Sequence, residues 1–246
     1  MEDIYKYMVW GDYDQKIKTL ANMTGENWNF NNNTNNIILK KYLSHTANKL
    51  KEEGKILTTD KYCIMNTGLF TTYYEPIYIY AEKNLSNSDP DWWFKSFSTP
   101  YDLGNLGITT LPERANYFTD PSALIFDPNC KINVQFKHIY DDEENRARIP
   151  EEILNSKNIH SIFKGAIDTM IKKVTANYKI AIPQYFNGQI QLLLPLCLID
   201  ENIPDLALVV TKINNVYQGH TCLTLEMAYN NARLIAKPES NWLTLN

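Results

Sequence analysis

Paired cysteines are missing from this chain. Its four, Cys63, Cys130, Cys197 and Cys222, stand far apart with no CxxC among them, which excludes a sequence-written zinc ribbon or disulfide framework and leaves reduced, mostly buried thiols. Basic charge is not in excess either: 24 Lys and Arg against 28 Asp and Glu give a net charge of -4. A protein that coats long nucleic acid relies on counterion release from a basic surface, so that role is excluded as the main one. The longest apolar run, Leu192 to Ile199, is far short of a membrane span, and Met1-Glu-Asp-Ile-Tyr-Lys-Tyr lacks the basic start and apolar run of a leader. The expectation is a soluble, cytoplasmic protein with no membrane partner. Glycine is scarce, 9 in 246 residues, and no Gly/Ser hinge, repeat or low-complexity linker divides the chain. One α+β domain over residues 1–246 is the simplest organisation, with residues 1–34 an irregular, aromatic and asparagine-rich lead-in.

What is present reads as helices and a meander. Leu39, Leu43, Ala47 and Leu50 recur at helical spacing and Gly54 follows as a stop, so a helix is expected from Asn35 to Gly54. Asp60 to Phe70 reads as a strand broken by a turn at Asn66-Thr67-Gly68, and Pro76 to Ala81 as its antiparallel partner. The middle, from Asn84 to Pro150, is irregular and proline-rich apart from the strand-like Lys131 to Lys137. Its charged run Asp141 to Arg148 reads as a solvated helical turn. A second helix is expected from Asn158 to Val174. Tyr178 to Phe186 and Gln189 to Ile199 form a hairpin closed at Asn187-Gly188 by a type I′ turn, which favours that dipeptide because both central residues need positive φ. Leu206 to Ile213 is the next strand, turned at Asn214-Asn215. The chain then ends in a helix that opens at Gly219-His220-Thr221 and stops at Pro238.

Five segments resemble a known family: Asn66-Thr-Gly-Leu69, Leu111-Pro-Glu-Arg-Ala-Asn-Tyr-Phe118, Asn177-Tyr-Lys-Ile-Ala-Ile-Pro-Gln184, Gln191-Leu-Leu-Leu-Pro195 and Thr221-Cys-Leu-Thr-Leu-Glu-Met-Ala-Tyr-Asn-Asn-Ala-Arg233. They are similar to the bacterial domain of unknown function 3825, from about Trp28 onward. Relatives in that family are often fused to LOTUS (OST-HTH) modules thought to bind RNA, so the resemblance implies an RNA or nucleotide context. It carries over no catalytic residues. This chain has no such module, which widens the expectation to a small-nucleotide ligand and to sequestration of a nucleotide signal, as a viral protein would do.

Candidate binding residues follow from chemistry. A helix opening at His220 and Thr221 offers backbone N–H groups at a positive helix end, an anion site or an ordinary Thr cap. Asn230 and Asn231 sit in that helix although asparagine is a poor helix former, which points to a ligand or a buried polar contact. Asn231 lies on the side of Met227 and Leu234 and is expected to be the more buried of the two. Glu226, Asn230, Arg233 and Lys237 share a face, polar towards ligand or simply solvated. Thr221 and Arg233 would stand about 18 Å apart along the axis, too far for one phosphate. Asn66, Thr67 and Gly68 offer amide and backbone contacts or form a plain turn. Arg114 offers a phosphate fork or an internal ion pair with Glu113 or Asp120, and Tyr117 a ring for base stacking. Tyr178 and Lys179 add stacking and charge, or are strand surface.

The four histidines, His45, His138, His160 and His220, show no metal-ligand spacing, and no P-loop, GxGxxG or GxSxG is present, so neither metal nor cofactor is expected. The expected function is binding of a nucleotide-type ligand, a short RNA or a nucleotide signal molecule. A metal-independent nucleotide or phosphodiester hydrolase, with His220 and Glu226 or a second histidine as acid and base, is the alternative. A protein-interaction domain is a second alternative.

Overall fold

The computed structural model of the protein describes residues 4–30, 34–86, 89–118 and 120–244. The chain is α+β, and its contacts gather it into two compact units that part between Asn116 and Tyr117.

In the first unit, α1 (Tyr13–Thr24) occupies part of the stretch expected to be irregular. The Asp12 carboxylate accepts the Gln15 N–H at 3.1 Å as its cap, and Gly25, at φ +64°, ends it. Tyr13, Ile17, Leu20 and Thr24 are buried, a stripe spaced four, three and four. The stripe is legible in the sequence but short, and the aromatic and asparagine-rich flanks hide it. Helix α2 (Ile37–Glu52) lies where the apolar spacing puts it. An antiparallel meander follows: β1 (Leu57–Thr58), β2 (Tyr62–Phe70), β3 (Pro76–Lys83) and β4 (Trp92–Ser98), in that order. Asn66-Thr67-Gly68 does not break the strand; the β2–β3 register shifts between Asn66 and Phe70, so the expected turn is a bulge within β2. The capping box of Thr99 and Asp102 then starts α3 (Pro100–Asn105).

The second unit is a five-stranded sheet with helices. After β5 (Lys131–Val134) come α4 (Phe136–Asp141), α5 (Glu143–Arg146), α6 (Glu151–Leu154) and the long α7 (Ile159–Ala176). The first three are short: α4 begins where the sequence reads as strand-like, α5 lies in the charged run expected to be a helical turn, and α6 follows Pro150. The expected hairpin is β6 (Ile182–Phe186) and β7 (Gln189–Leu196), with Asn187 at φ +47° and Gly188 at φ +80° in its turn. Tyr178–Ile180 is a 3-10 turn rather than strand. Strands β8 (Leu206–Ile213) and β9 (Val216–Leu223) and helix α8 (Leu225–Arg233) complete the unit. The strand order is β5-β9-β8-β7-β6, antiparallel except for the parallel pair β5–β9.

Strand periodicity explains the core. Leu192, Leu194 and Leu196 of β7, Leu206, Leu208 and Val210 of β8, and Tyr217 and Cys222 of β9 pack with Phe163, Ile167, Met170 and Val174 of α7. Each fully buried aliphatic or aromatic side chain contributes about 1.5–3 kcal/mol. The helix is thereby fixed on one sheet face, and the flank of its buried stripe, with Ile162, Ala166 and Met170, is left to line a cavity.

Candidate functional site

Of the candidates in the first unit, Asn66, Thr67 and Gly68 are engaged in the fold. The Thr67 hydroxyl donates to the Ile77 carbonyl at 2.6 Å and accepts from the Leu69 N–H at 3.1 Å. The Asn66 amide donates to the Pro112 carbonyl (3.1 Å), and its oxygen accepts the Gly68 N–H (2.9 Å). From α2, the Tyr42 hydroxyl donates to the Thr67 carbonyl at 3.0 Å. Gly68 has φ +73°, and a Cβ there would meet the Tyr42 hydroxyl oxygen at 2.7 Å, so glycine serves a close approach within the bulge. Arg114 is exposed, and its carbonyl accepts from Lys55 Nζ at 3.3 Å. Lys55 pairs with Glu53 at 3.0 Å and Glu113 at 3.5 Å. Burial works against the charged Glu53 carboxylate, but Lys55, the Asn116 N–H and Lys49 outweigh it and hold its pKa below the usual range.

In the second unit the end of the chain departs from expectation. His220 and Thr221 lie in β9 rather than at a helix start, with Thr221 opposite Val209 of β8. Helix α8 begins later, where the Thr224 hydroxyl accepts the Met227 N–H at 3.3 Å. Pairing with β8 keeps the chain extended as far as Leu223, so the cap is Thr224 rather than Thr221. His220 and Thr221 therefore stand at no helix N-terminus, and no helical rise of about 18 Å separates Thr221 from Arg233.

The two asparagines also exchange roles. Asn230 is only 7% exposed, and neither carboxamide atom has a hydrogen-bond partner among the described residues, whereas Asn231 is half-buried and its amide donates to Gln184 of β6 at 3.1 Å. The buried face of α8 runs through Ala228, Tyr229 and Ala232 and also takes in Arg233. Close approach selects alanine, so the bulky Met227 was a poor guide to the inward side. From Gln184, which is 1% exposed, hydrogen bonds continue to Gln191 (2.8 Å) and from Gln191 to Thr211 (2.9 Å). A chain of amides thus links α8 to three strands.

Two features bring together residues that stand far apart in the sequence. Strand β9 is paired with β5 only as far as Gly219. Beyond it, Asn145 Oδ1 accepts the Cys222 N–H at 3.3 Å and Arg148 Nη1 donates to the Cys222 carbonyl at 2.9 Å, so two side chains stand in for a missing strand. Asn145 is 2% exposed. The charged run is thus docked, not merely solvated. Next to it, the His138 and His220 rings stack with centroids 6.2 Å apart and planes 23° apart. Tyr117, expected as a stacking ring, is buried edge-on against Tyr185 at 4.8 Å.

The 3-10 turn, the start of β6, the end of α8 and the segment after it enclose a cavity of about 760 Å³. Lys179 and Lys237 both line it, with Glu239, Ser240 and Asn177 among the other polar groups. Neither ammonium has an ion-pair or hydrogen-bond partner among the described residues. Tyr178, exposed, precedes Lys179 in the turn. The sequence spacing places Lys237 at the end of a helical face, but α8 ends at Arg233 and the chain beyond brings Lys237 to the same cavity as Lys179.

Among the described residues no group of three or more His, Cys, Asp or Glu is arranged to hold a metal ion, and no helix is long and apolar enough to cross a membrane. The family model described as "Domain of unknown function (DUF3825)" matches residues 20–242. No curated protein and no solved structure matches the chain.

Proposed function

We propose that this chain, which belongs to the domain of unknown function DUF3825 family, binds a nucleotide-type ligand, a short RNA or a nucleotide signal molecule, through the lysine-lined cavity of its second unit. The observation that carries the reading is that Lys179 and Lys237, with no ion-pair partner among the described residues, line one concave surface of a chain whose net charge is -4. Two cations beside a single carboxylate, Glu239, make a locally positive site. A phosphoryl group accepts charge-assisted hydrogen bonds from both. The cavity volume lies in the range that ligand sites occupy. Sequestration of a nucleotide signal needs no more than this.

Titration calorimetry with pyrophosphate and a panel of linear and cyclic nucleotides tests the reading. One charge-assisted hydrogen bond is worth about 1.5–3 kcal/mol, so Lys179→Ala or Lys237→Ala weakens binding by about tenfold or more. No binding by the wild type, or equal binding by the double variant, overturns it.

The stacked His138 and His220 favour a second reading, metal-independent phosphodiester hydrolysis with one imidazole as base and the other as acid. Product formation in EDTA that is lost in both His138→Gln and His220→Gln supports it. Intact substrate at wild-type concentrations that bind it fully removes it.

A further inference from the structure

One flank of α7 borders a second cavity, of about 540 Å³, that shares Asn177, Ile180, Ser240 and Asn241 with the lysine cavity. We infer that this cleft takes an uncharged planar heterocycle of nucleobase or nucleoside type, whose phosphate reaches the neighbouring lysines. The inference rests on the phosphate reading of the lysine cavity, but its own support is separate.

One wall is aromatic and fixed. The Trp242 indole N–H donates to the Ile180 carbonyl at 2.8 Å, so the ring is held in place at the cavity rim rather than free to swing. An oriented indole face is a stacking surface for any planar base. The charges of the lining cancel: Lys173 and Glu201 both border the cleft, and the Lys173 ammonium already donates to the Glu201 carbonyl at 2.7 Å. A charged ligand group gains little there. Hydroxyl and amide groups, such as Thr169 and Asn202, supply neutral donors and acceptors of the kind that fix a base edge.

The cleft is also open where a side chain would ordinarily fill it. Gly165 lies in the interior of an eighteen-residue helix, a position where glycine is unfavourable relative to alanine. A Cβ at Gly165 would meet nothing within 4 Å, so no packing requirement accounts for the glycine. It leaves the exposed part of the cleft lining clear.

Cys197 gives the cleft a chemical reporter. It lines the cavity and is the one half-exposed cysteine among the four, Cys63, Cys130 and Cys222 being buried. The test is the rate of Cys197 alkylation by iodoacetamide in the full chain, followed by peptide mass spectrometry, with adenosine, guanosine, cytidine or uridine added, and with pyrophosphate in a separate arm. At ten times its dissociation constant a ligand leaves about one site in eleven free, so at least one nucleoside slows alkylation about tenfold. Gly165→Leu, which adds a bulky side chain to the cleft lining, retains the fold and loses that protection. Thr169→Leu does the same from the next turn should Gly165→Leu not fold.

Alkylation unaffected by all four nucleosides overturns the inference, whatever pyrophosphate does. Equal protection of the wild type and of both filled variants overturns it too. Protection by a nucleoside without any pyrophosphate binding leaves the cleft assignment standing and removes the lysine reading instead. When both hold, the 5′-monophosphate protects at a lower concentration than its nucleoside, and Lys179→Ala with Lys237→Ala abolishes that difference.

Discussion

Gly68→Ala is the perturbation that most directly tests why the family-like Asn66-Thr67-Gly68 segment has its residues. Gly68 is held at φ +73°, and an alanine pays about 1–2 kcal/mol for the left-handed region. Its Cβ would also stand 2.7 Å from the Tyr42 hydroxyl, which donates to the Thr67 carbonyl at 3.0 Å. Moving that hydroxyl away loses a buried hydrogen bond, about 1 kcal/mol more. The expected total is about 2–3 kcal/mol, or roughly 1 M in the urea midpoint for a slope of about 2–3 kcal/mol/M. Tyr42→Phe removes the obstructing oxygen along with the hydrogen bond. In that background Gly68→Ala should therefore cost only the backbone part, leaving a coupling of about 1 kcal/mol in the double-mutant cycle. Urea unfolding of the four proteins, followed by far-ultraviolet circular dichroism, measures it. Equal costs in the two backgrounds would refute the close approach to Tyr42, and a cost near zero in both would refute the backbone reading as well.

Other perturbations follow from single contacts. Gly165→Ala relieves an unfavourable helix residue with no steric cost and should raise stability by about 0.5–1 kcal/mol, read as a higher urea midpoint; a loss of stability would show that the position is packed. Asn145→Ala leaves the Cys222 N–H without its acceptor and should cost about 1–3 kcal/mol, with faster hydrogen exchange at Cys222; unchanged exchange there would refute the docking. Asp127 accepts from Lys212 at 2.9 Å, from the Asn129 N–H and from Cys130, and Lys212 is the main reason that its pKa is depressed. A carboxylate with a depressed folded-state pKa contributes stability above its unfolded pKa, near 4, and loses it as the pH falls through the folded-state value. Lys212→Met should make the decline of stability below about pH 5 shallower; identical urea midpoints as a function of pH would refute the pairing.

The chain by itself determined the elements whose signals are local. The α+β class, α2, α7 and the β6–β7 hairpin follow from apolar spacing and from Asn187-Gly188, because helix and strand periods and a turn's φ requirement are properties of neighbouring residues. The short stripe of α1 was present but outweighed by its flanks. Only the tertiary structure decided how far β9 extends, because its pairing with β8 beats a plausible helix cap at Thr221. It alone turned Asn230 rather than Asn231 inward, since the close fit of Ala228 and Ala232 fixes which side of α8 is buried. It alone brought Lys179 and Lys237 to one cavity, and Gly165, Cys197 and Trp242 to another. Those residues lie on separate elements, and sequence spacing carries no information about which distant side chains will share a concave surface. That depends on how α7 and α8 pack and on where the chain runs after each helix ends.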